Sequence, residues 1–166
     1  MKLNLGSGIT KQKEGWVNLD IIKSEGVDVI HDLNKFPYPF KTGSVEKVNA
    51  EHIIEHLPDI IAIMKELHRI CKNGALIRIK VPYFRHQNCY DEPTHVHFFT
   101  ERSFRFFTEL EPNNYCGITG KFELMESKLT LNGKVANFLG IGIIGKINPL
   151  YPIFIHEIEI LLRVRK

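Results

Sequence analysis

The first fifty positions are built of short alternating runs that stop at glycine or at an acid. Lys2-Leu3-Asn4-Leu5 alternates polar and apolar and halts at Gly6-Ser7-Gly8, which predicts a strand feeding a glycine turn. Positions 16–20 predict a second strand ending on Asp20, and positions 27–32 a third ending on Asp32. Phe36-Pro37-Tyr38-Pro39-Phe40 is excluded from regular structure because each proline removes a backbone donor. A fourth strand is predicted over 45–50. A helix follows, with Pro58 at its first position and Ile60, Met64, Leu67 and Cys71 at helical spacing. Asn73-Gly74 predicts its left-handed stop. A fifth strand is predicted over 75–81, closed by Pro82, then a short helix capped by Thr100 and carrying Phe104 and Phe107. Positions 122–131 predict a long strand ending at the hairpin signal Asn132-Gly133, and 157–165 a last strand.

Strands joined by short crossovers and followed by a strand-rich tail predict an α/β open sheet, mostly parallel with an antiparallel edge. At 166 residues the chain is expected to be a single domain spanning 1–166. Hydrophobic residues make up 43% and charged residues 25%, the composition of an ordinary globular protein. The net charge of +3, with no dense basic run, gives no argument for nucleic acid as a partner. Cys71, Cys89 and Cys116 include no C-x-x-C pair, which points to a reducing compartment. The N-terminus enters a strand at once, so no signal peptide is expected. The apolar stretch from Val135 is broken by Lys146, Asn148 and Pro149, about half the roughly 20 residues of a membrane span. The expected location is cytoplasmic.

In open parallel sheets ligands bind beyond the carboxyl ends of the strands. Gly6-Ser7-Gly8, Asp20 and Asp32 all fall there. A Gly-x-Gly turn admits a ligand close to the backbone, or is simply a tight turn. Asp20 can accept hydrogen bonds from two ribose hydroxyls, or cap a helix. Asp32-Leu33 can meet an exocyclic amine and a purine face, or form a turn. Taken together, in that order, they favour an adenosine-containing cofactor. A dinucleotide fingerprint needs a third glycine where Lys11 stands and a helix for which the next strand leaves little room. S-adenosylmethionine, which has no pyrophosphate, fits better.

These residues resemble a class I S-adenosylmethionine-dependent methyltransferase, especially the small methyltransferase-type-11-like proteins. Leu3-Asn4-Leu5-Gly6-Ser7-Gly8 is similar to the glycine motif, Gly15-Trp16-Val17-Asn18-Leu19-Asp20 to the ribose-binding segment, and His31-Asp32-Leu33 to the adenine side. Glu55-His56-Leu57 and the run from Glu66 to Asn73-Gly74 resemble the stretch before strand five. The resemblance implies a Rossmann-like, seven-stranded sheet with shortened first crossovers, and transfer of a methyl group from S-adenosylmethionine. It implies that Gly6, Ser7 and Gly8 meet the amino-acid end of the cofactor and Asp20 the ribose. Asp32 and Leu33 would meet the adenine, and Ala50 and Glu51 would line the pocket after strand four.

The loop from Tyr90 to Phe99 follows strand five, where an acceptor would face the methyl group, and His95 and His97 are the candidate bases there. A small-molecule, saccharide or lipid-linked acceptor is expected ahead of nucleic acid. His52-Ile53-Ile54-Glu55-His56 spells the inverted zinc-protease motif, but Pro58 cuts its helix short. Cys89, His95, His97 and Cys116 fit no zinc-finger spacing, so no metal is assigned. Phe98, Phe99, Phe104, Phe106 and Phe107 read as packing. Residues 133–156 read as an apolar insertion folded on its own protein as a lid. Two rival readings remain: a cofactor-fold binding module serving as a non-catalytic partner subunit, and a metal-dependent hydrolase using His52, Glu55 and His56.

Overall fold

The computed structural model describes residues 1–9, 13–108, 116–118, 121–131 and 155–166. Seven strands form one sheet: β1 (Lys2–Leu5), β2 (Val17–Asp20), β3 (Val29–Ile30), β4 (Val45–Glu51), β5 (Cys71–Pro82), β6 (Phe122–Leu131) and β7 (Ile155–Val164). Their order is β3-β2-β1-β4-β5-β7-β6. The five strands from β3 to β5 are parallel, and β7 runs antiparallel to both β5 and β6 at the far end. This is the Rossmann-like, mostly parallel seven-stranded arrangement expected from the sequence.

Leu3 pairs with Val17 and Val48, and Leu5 with Leu19 and Ala50, so these side chains share one sheet face. Helix α1 (Ile60–Ile70) covers that face with Ile63, Met64, Leu67 and Ile70, all buried in one apolar cluster with the strands. Each such side chain contributes about 1.5–3 kcal/mol by leaving water. Phe104 and Phe107, in a short 3-10 turn over Ser103–Phe107, join the same cluster, and Phe99 packs flat on Phe104 at 5.2 Å. Thr100 is tied to this turn, its hydroxyl accepting the Arg102 amide at 3.2 Å.

The opposite face is polar. Connections 6–16 and 21–28 hold no helix among the described residues, and of the first connection Trp16 lies against this face, beside Lys47 and Arg78. A chain of side-chain hydrogen bonds crosses four strands instead. Arg78 donates to Asn49 at 2.9 Å, Asn49 to Asn4 at 2.8 Å, and Asn4 to Asn18 at 3.0 Å. Asn18 Oδ1 also accepts the Lys13 amide at 2.9 Å, which moors the first connection. The shortened crossovers thus explain why these strands alternate, when a doubly covered parallel strand reads as continuous apolar residues.

Three sequence expectations change. Asp59, not Pro58, marks the helix start: its carboxylate caps α1 by accepting the Ala62 amide at 2.8 Å. The helix stops at Ile70, and Cys71 is already extended (φ −76°, ψ 149°) as the first residue of β5. Val45 faces Cys71 and Lys47 faces Leu76, so the Asn73-Gly74 turn is a bulge inside β5 and not a helix cap. The third strand shrinks to Val29–Ile30 at the sheet edge, flanked by Asp28 and His31 amides bonded to the Asn18 and Asp20 carbonyls. The hairpin signal at 132–133 and nearly all of the 133–156 insertion lie outside the described residues. No described helix is long and apolar enough to cross a membrane.

Asn4→Ala interrupts the relay at its centre and leaves Asn49 Nδ2 without the acceptor that Asn4 supplies. The expected loss is about 1–3 kcal/mol, a fall in Tm of about 2–4 °C for each kcal/mol in a chain of this size, read by thermal denaturation. An unchanged Tm would show that the relay does not contribute.

Candidate functional site

The strand order reverses between β1 and β4, and the space beyond their carboxyl ends is where an open sheet binds ligands. Gly6 leaves β1 with φ +60°, and Gly8 follows with φ +52°. A Cβ on Gly6 would stand 2.6 Å from Ile53 Cγ1, so glycine is required there by the chain's own close approach. Both oxygens of Asp20 are held by backbone: Oδ2 accepts the Gly8 amide at 2.7 Å and Oδ1 the Ile22 amide at 2.9 Å. A carboxylate offers about four acceptor sites, so two remain for a ligand. Ser7 is fully buried and its hydroxyl has no hydrogen-bond partner.

A cleft of about 160 Å³ lies here, lined by Gly6, Asp20, His31, Asp32, Leu33 and Ile53 among others. Asp32 Oδ1 accepts the Asn34 amide at 3.0 Å, which fixes the turn. The Leu33 carbonyl is pinned by the Tyr38 hydroxyl at 3.0 Å. Burial, helped by Glu66 and Asp32, pushes that phenol upward, so it stays a donor. Of the residues expected to meet the cofactor, Gly6, Asp20, Asp32 and Leu33 line this cleft; Ser7 and Gly8 form the turn behind it. Ala50 and Glu51 do not line it. Ala50 points into the apolar cluster, and Glu51 lies on the polar face with Arg78 at 3.2 Å and Lys80 at 3.5 Å. As neighbours on β4 the two project to opposite faces of the sheet.

A second pocket of about 440 Å³ opens beside the first, lined by His52, Glu55, His56, Glu92, His95 and Glu157 with others. His56 lines both pockets. Its segment is held in place from across the chain: the Val96 and His97 amides donate to the Glu55 carbonyl at 2.9 and 3.3 Å. These bonds bring His95 against His56, ring centroids 4.6 Å apart. His95 Nδ1 lies 3.1 Å from the Cys89 carbonyl, so that nitrogen carries the proton and Nε2 holds the lone pair. His97 is placed elsewhere. Its Nε2 donates to the Pro58 carbonyl at 3.2 Å, and it lines a separate apolar groove with Phe98, Phe104 and Phe107. The two histidines diverge, each ring held by a different backbone carbonyl.

His52 occupies a left-handed backbone conformation, φ +51°, uncommon for a side chain of this kind. Its ring bridges Glu157 at 2.7 Å and Glu55 at 3.3 Å, and Lys80 meets Glu157 at 2.8 Å. Hydrogen bonds to Glu157 and Glu55 outweigh burial and push His52 up to about 9. Burial would raise Glu157, but His52 and Lys80 prevail and hold it at about 2. This engagement, and the single 3-10 turn over Ile54–His56, removes His52 from any shared helix face with His56. The protease-like reading of His52, Glu55 and His56 as a metal triad fails on that geometry. Cys89 is buried, its thiol donating to the Tyr83 carbonyl at 2.9 Å, and burial pushes it up to about 11. Ile53 and Glu157 were not singled out by sequence, and His52 and His56 were named as site residues only in the metal-dependent hydrolase reading. The Glu-His-Leu landmark and the inverted protease motif both pointed to His56, but no local pattern could tie Glu157 to a histidine 105 positions away.

No family model matches the chain, and no curated protein sequence is similar to it. Solved structures are. An S-adenosylmethionine-dependent methyltransferase from Archaeoglobus fulgidus aligns over 97% of this chain and 84% of its own, with a TM-score of 0.63 and 18% identity. A protein from Galdieria sulphuraria, assigned as a sarcosine dimethylglycine methyltransferase, gives 0.63 and 12% over 99% and 78%. The complex between the Haloferax volcanii Trm112 methyltransferase activator and a methyltransferase gives 0.61 and 13% over 99% and 82%. At these identities the likeness establishes the fold: it is that of the class I S-adenosylmethionine-dependent methyltransferases.

Gly6→Ala is expected to cost about 2–4 kcal/mol from the Ile53 overlap and the positive φ, lowering Tm by about 5–15 °C. Gly8→Ala has open space and loses only the backbone preference, about 1–2 kcal/mol. Equal losses in the two would remove the Ile53 contact as the cause. The His52–Glu157 pair sets a pH window. His52 stabilises the fold fully below its ordinary 6.5, and that contribution fades as pH rises through about 9. Glu157 contributes fully above its ordinary 4.5 and loses it as pH falls toward about 2. Urea unfolding should therefore show stability declining from pH 6.5 to 9, and His52→Ala should flatten that decline.

Proposed function

We propose that this protein binds S-adenosylmethionine in the cleft beyond β1 and β4 and transfers its methyl group to a polar small molecule. One observation carries the reading: on a methyltransferase fold, the cleft beyond β1 and the polar pocket share a single wall, His56. The residues fit the cofactor. Asp20 keeps two acceptor sites for ribose hydroxyls, Asp32 and Leu33 present an acid and an apolar flank for adenine, and the Gly6 backbone lies where the amino-acid end would run. The cleft alone, at about 160 Å³, is smaller than the roughly 300–1,000 Å³ of a complete ligand site. The remainder of the ligand would extend past Ile53, whose side chain must turn aside from Gly6.

When bound, the cofactor supplies a methyl group already activated on a sulfonium, so the chain's task is to position the acceptor and take its proton. His95 Nε2 holds a lone pair and lines the acceptor pocket, which suits it to accept a proton from an acceptor hydroxyl. Asn88, Asp91, Glu92 and His156 supply further polar groups around the same space. That lining favours a polyhydroxylated acceptor, a saccharide or a saccharide head on a lipid. Its acids, Glu55, Asp91, Glu92 and Glu157, oppose a phosphate-rich partner such as nucleic acid. His97 has no part in this reading. The three free thiols, Cys71, Cys89 and Cys116, support a reducing, cytoplasmic setting.

Ile53 seated over Gly6 favours a second reading, a fold retained as a partner subunit, and one structural neighbour is itself a complex with an activator protein. Calorimetry separates the two. Titration should give micromolar binding of S-adenosylmethionine and S-adenosylhomocysteine, and none of NAD. Asp32→Ala should weaken that binding by about tenfold, the value of a hydrogen bond to a charged group, with only a small fall in Tm from the lost Asn34 contact. Asp20→Ala should lose both affinity and stability, because it also releases Gly8 and Ile22. No binding of either adenosyl compound would overturn the methyltransferase reading in favour of the subunit.

A further inference from the structure

We infer that Glu55, His56 and His95 form a binding site for a divalent transition-metal ion, zinc foremost, on the inner wall of the larger pocket. One potential ligand atom from each lies within 4.8 Å of the other two. Two imidazoles and a carboxylate are the donor set of three-ligand zinc sites that keep a position open. The donors on a tetrahedral zinc, bonded at about 2.0–2.1 Å, stand about 3.3 Å apart.

Two independent observations point to a ligand. Glu55 is 1% exposed, and its Oε2 has no hydrogen-bond partner although the residue lines the larger pocket. A buried carboxylate oxygen left unsatisfied is costly, and a cation is the partner that answers it. The second observation is the state of the two rings. His95 Nδ1 faces the Cys89 carbonyl, which must accept a proton from it, leaving Nε2 as the donor atom. His56 Nδ1 lies 3.0 Å from Thr94 Oγ1, and that hydroxyl gives its own proton to Glu92 Oε1 at 2.8 Å. Thr94 therefore accepts from His56 Nδ1, and His56 Nε2 also holds a lone pair. Metal-binding histidines are oriented in this way, with the far ring nitrogen donating to an oxygen. Glu92 Oε2, 3.6 Å from His95 Nε2, stands at the rim as a further oxygen.

An ion here would face the 440 Å³ pocket with an open coordination position. An acceptor hydroxyl bound at that position would lose its proton to solvent near neutral pH, the ion taking over the work of a base. This use of the ion rests on the methyltransferase reading; the metal site itself does not.

The test is zinc binding by untagged protein, stripped with a chelator and dialysed, in competition with a chromophoric zinc indicator. One ion per chain is expected. Glu55→Gln, nearly isosteric, and His95→Ala should each weaken binding by more than about a hundredfold, and Thr94→Val by about tenfold. His97→Ala, on the same loop but turned to Pro58, should bind as the parent does. Cobalt substitution should give visible absorption bands that Glu55→Gln abolishes. Circular dichroism of each variant confirms that it folds. A stoichiometry of zero, or equal affinity in the parent, Glu55→Gln and His95→Ala, would overturn the site. Titrating S-adenosylhomocysteine in parallel keeps the two proposals apart: zinc without the nucleoside leaves this one standing and removes the other.

Discussion

The functional end of the sheet depends on a single carboxylate. Asp20 accepts the amides of Gly8 and Ile22, and so fastens the glycine turn after β1 to the end of β2. In a doubly wound protein, a helix packed behind such a turn would hold it. Here the first connection is too short for one, and a charge-assisted pair of hydrogen bonds does that work locally. The turn then presents Gly6 to Ile53 and leaves the space between β1 and β4 open. Asp20 is thus a structural clamp first, with acceptor sites to spare. Its two roles draw on different lone pairs of the same group.

Across the cleft, organisation comes from backbone and not from side chains. The Glu55 carbonyl receives the Val96 and His97 amides, stitching the loop after β5 to the turn after β4. That stitch brings His95 to His56 and Glu55, and it directs His97 the other way. His52, at the end of β4, is drawn into the Glu157–Lys80 network, where opposite charges share one edge of the pocket. The positive φ at His52 is where β4 breaks to allow both arrangements within five residues.

Much of this was legible in the sequence. Alternation marked β1, β2, β4 and β6, and glycine or acid at their ends marked the cleft, because strand ends and tight turns have local chemical requirements. Gly6, Asp20, Asp32 and Leu33 meet there as those requirements implied. Ala50 and Glu51 do not line the cleft: a strand sends neighbours to opposite faces, one into the apolar cluster and one to the Arg78 side. His97 is turned to the Pro58 carbonyl, a contact that no local pattern records. Asn73-Gly74 has a local preference that a bulge satisfies as well as a helix stop does. Glu157 and the partnership of Glu55 with His95 depend on contacts made only when the sheet closes, and no local pattern records them.

The amide relay on one sheet face has a thermal consequence. Exposing apolar surface on unfolding raises the heat capacity by about 0.45 cal/mol/K per Å², while exposing polar surface lowers it by about 0.26. A sheet lined on one side by Asn4, Asn18, Asn49 and Arg78 releases polar groups where a doubly covered sheet would release hydrocarbon. Its heat-capacity increment is smaller for the same number of strands. The stability curve of such a protein is broad and shallow, falling away slowly toward the cold as well as toward the heat.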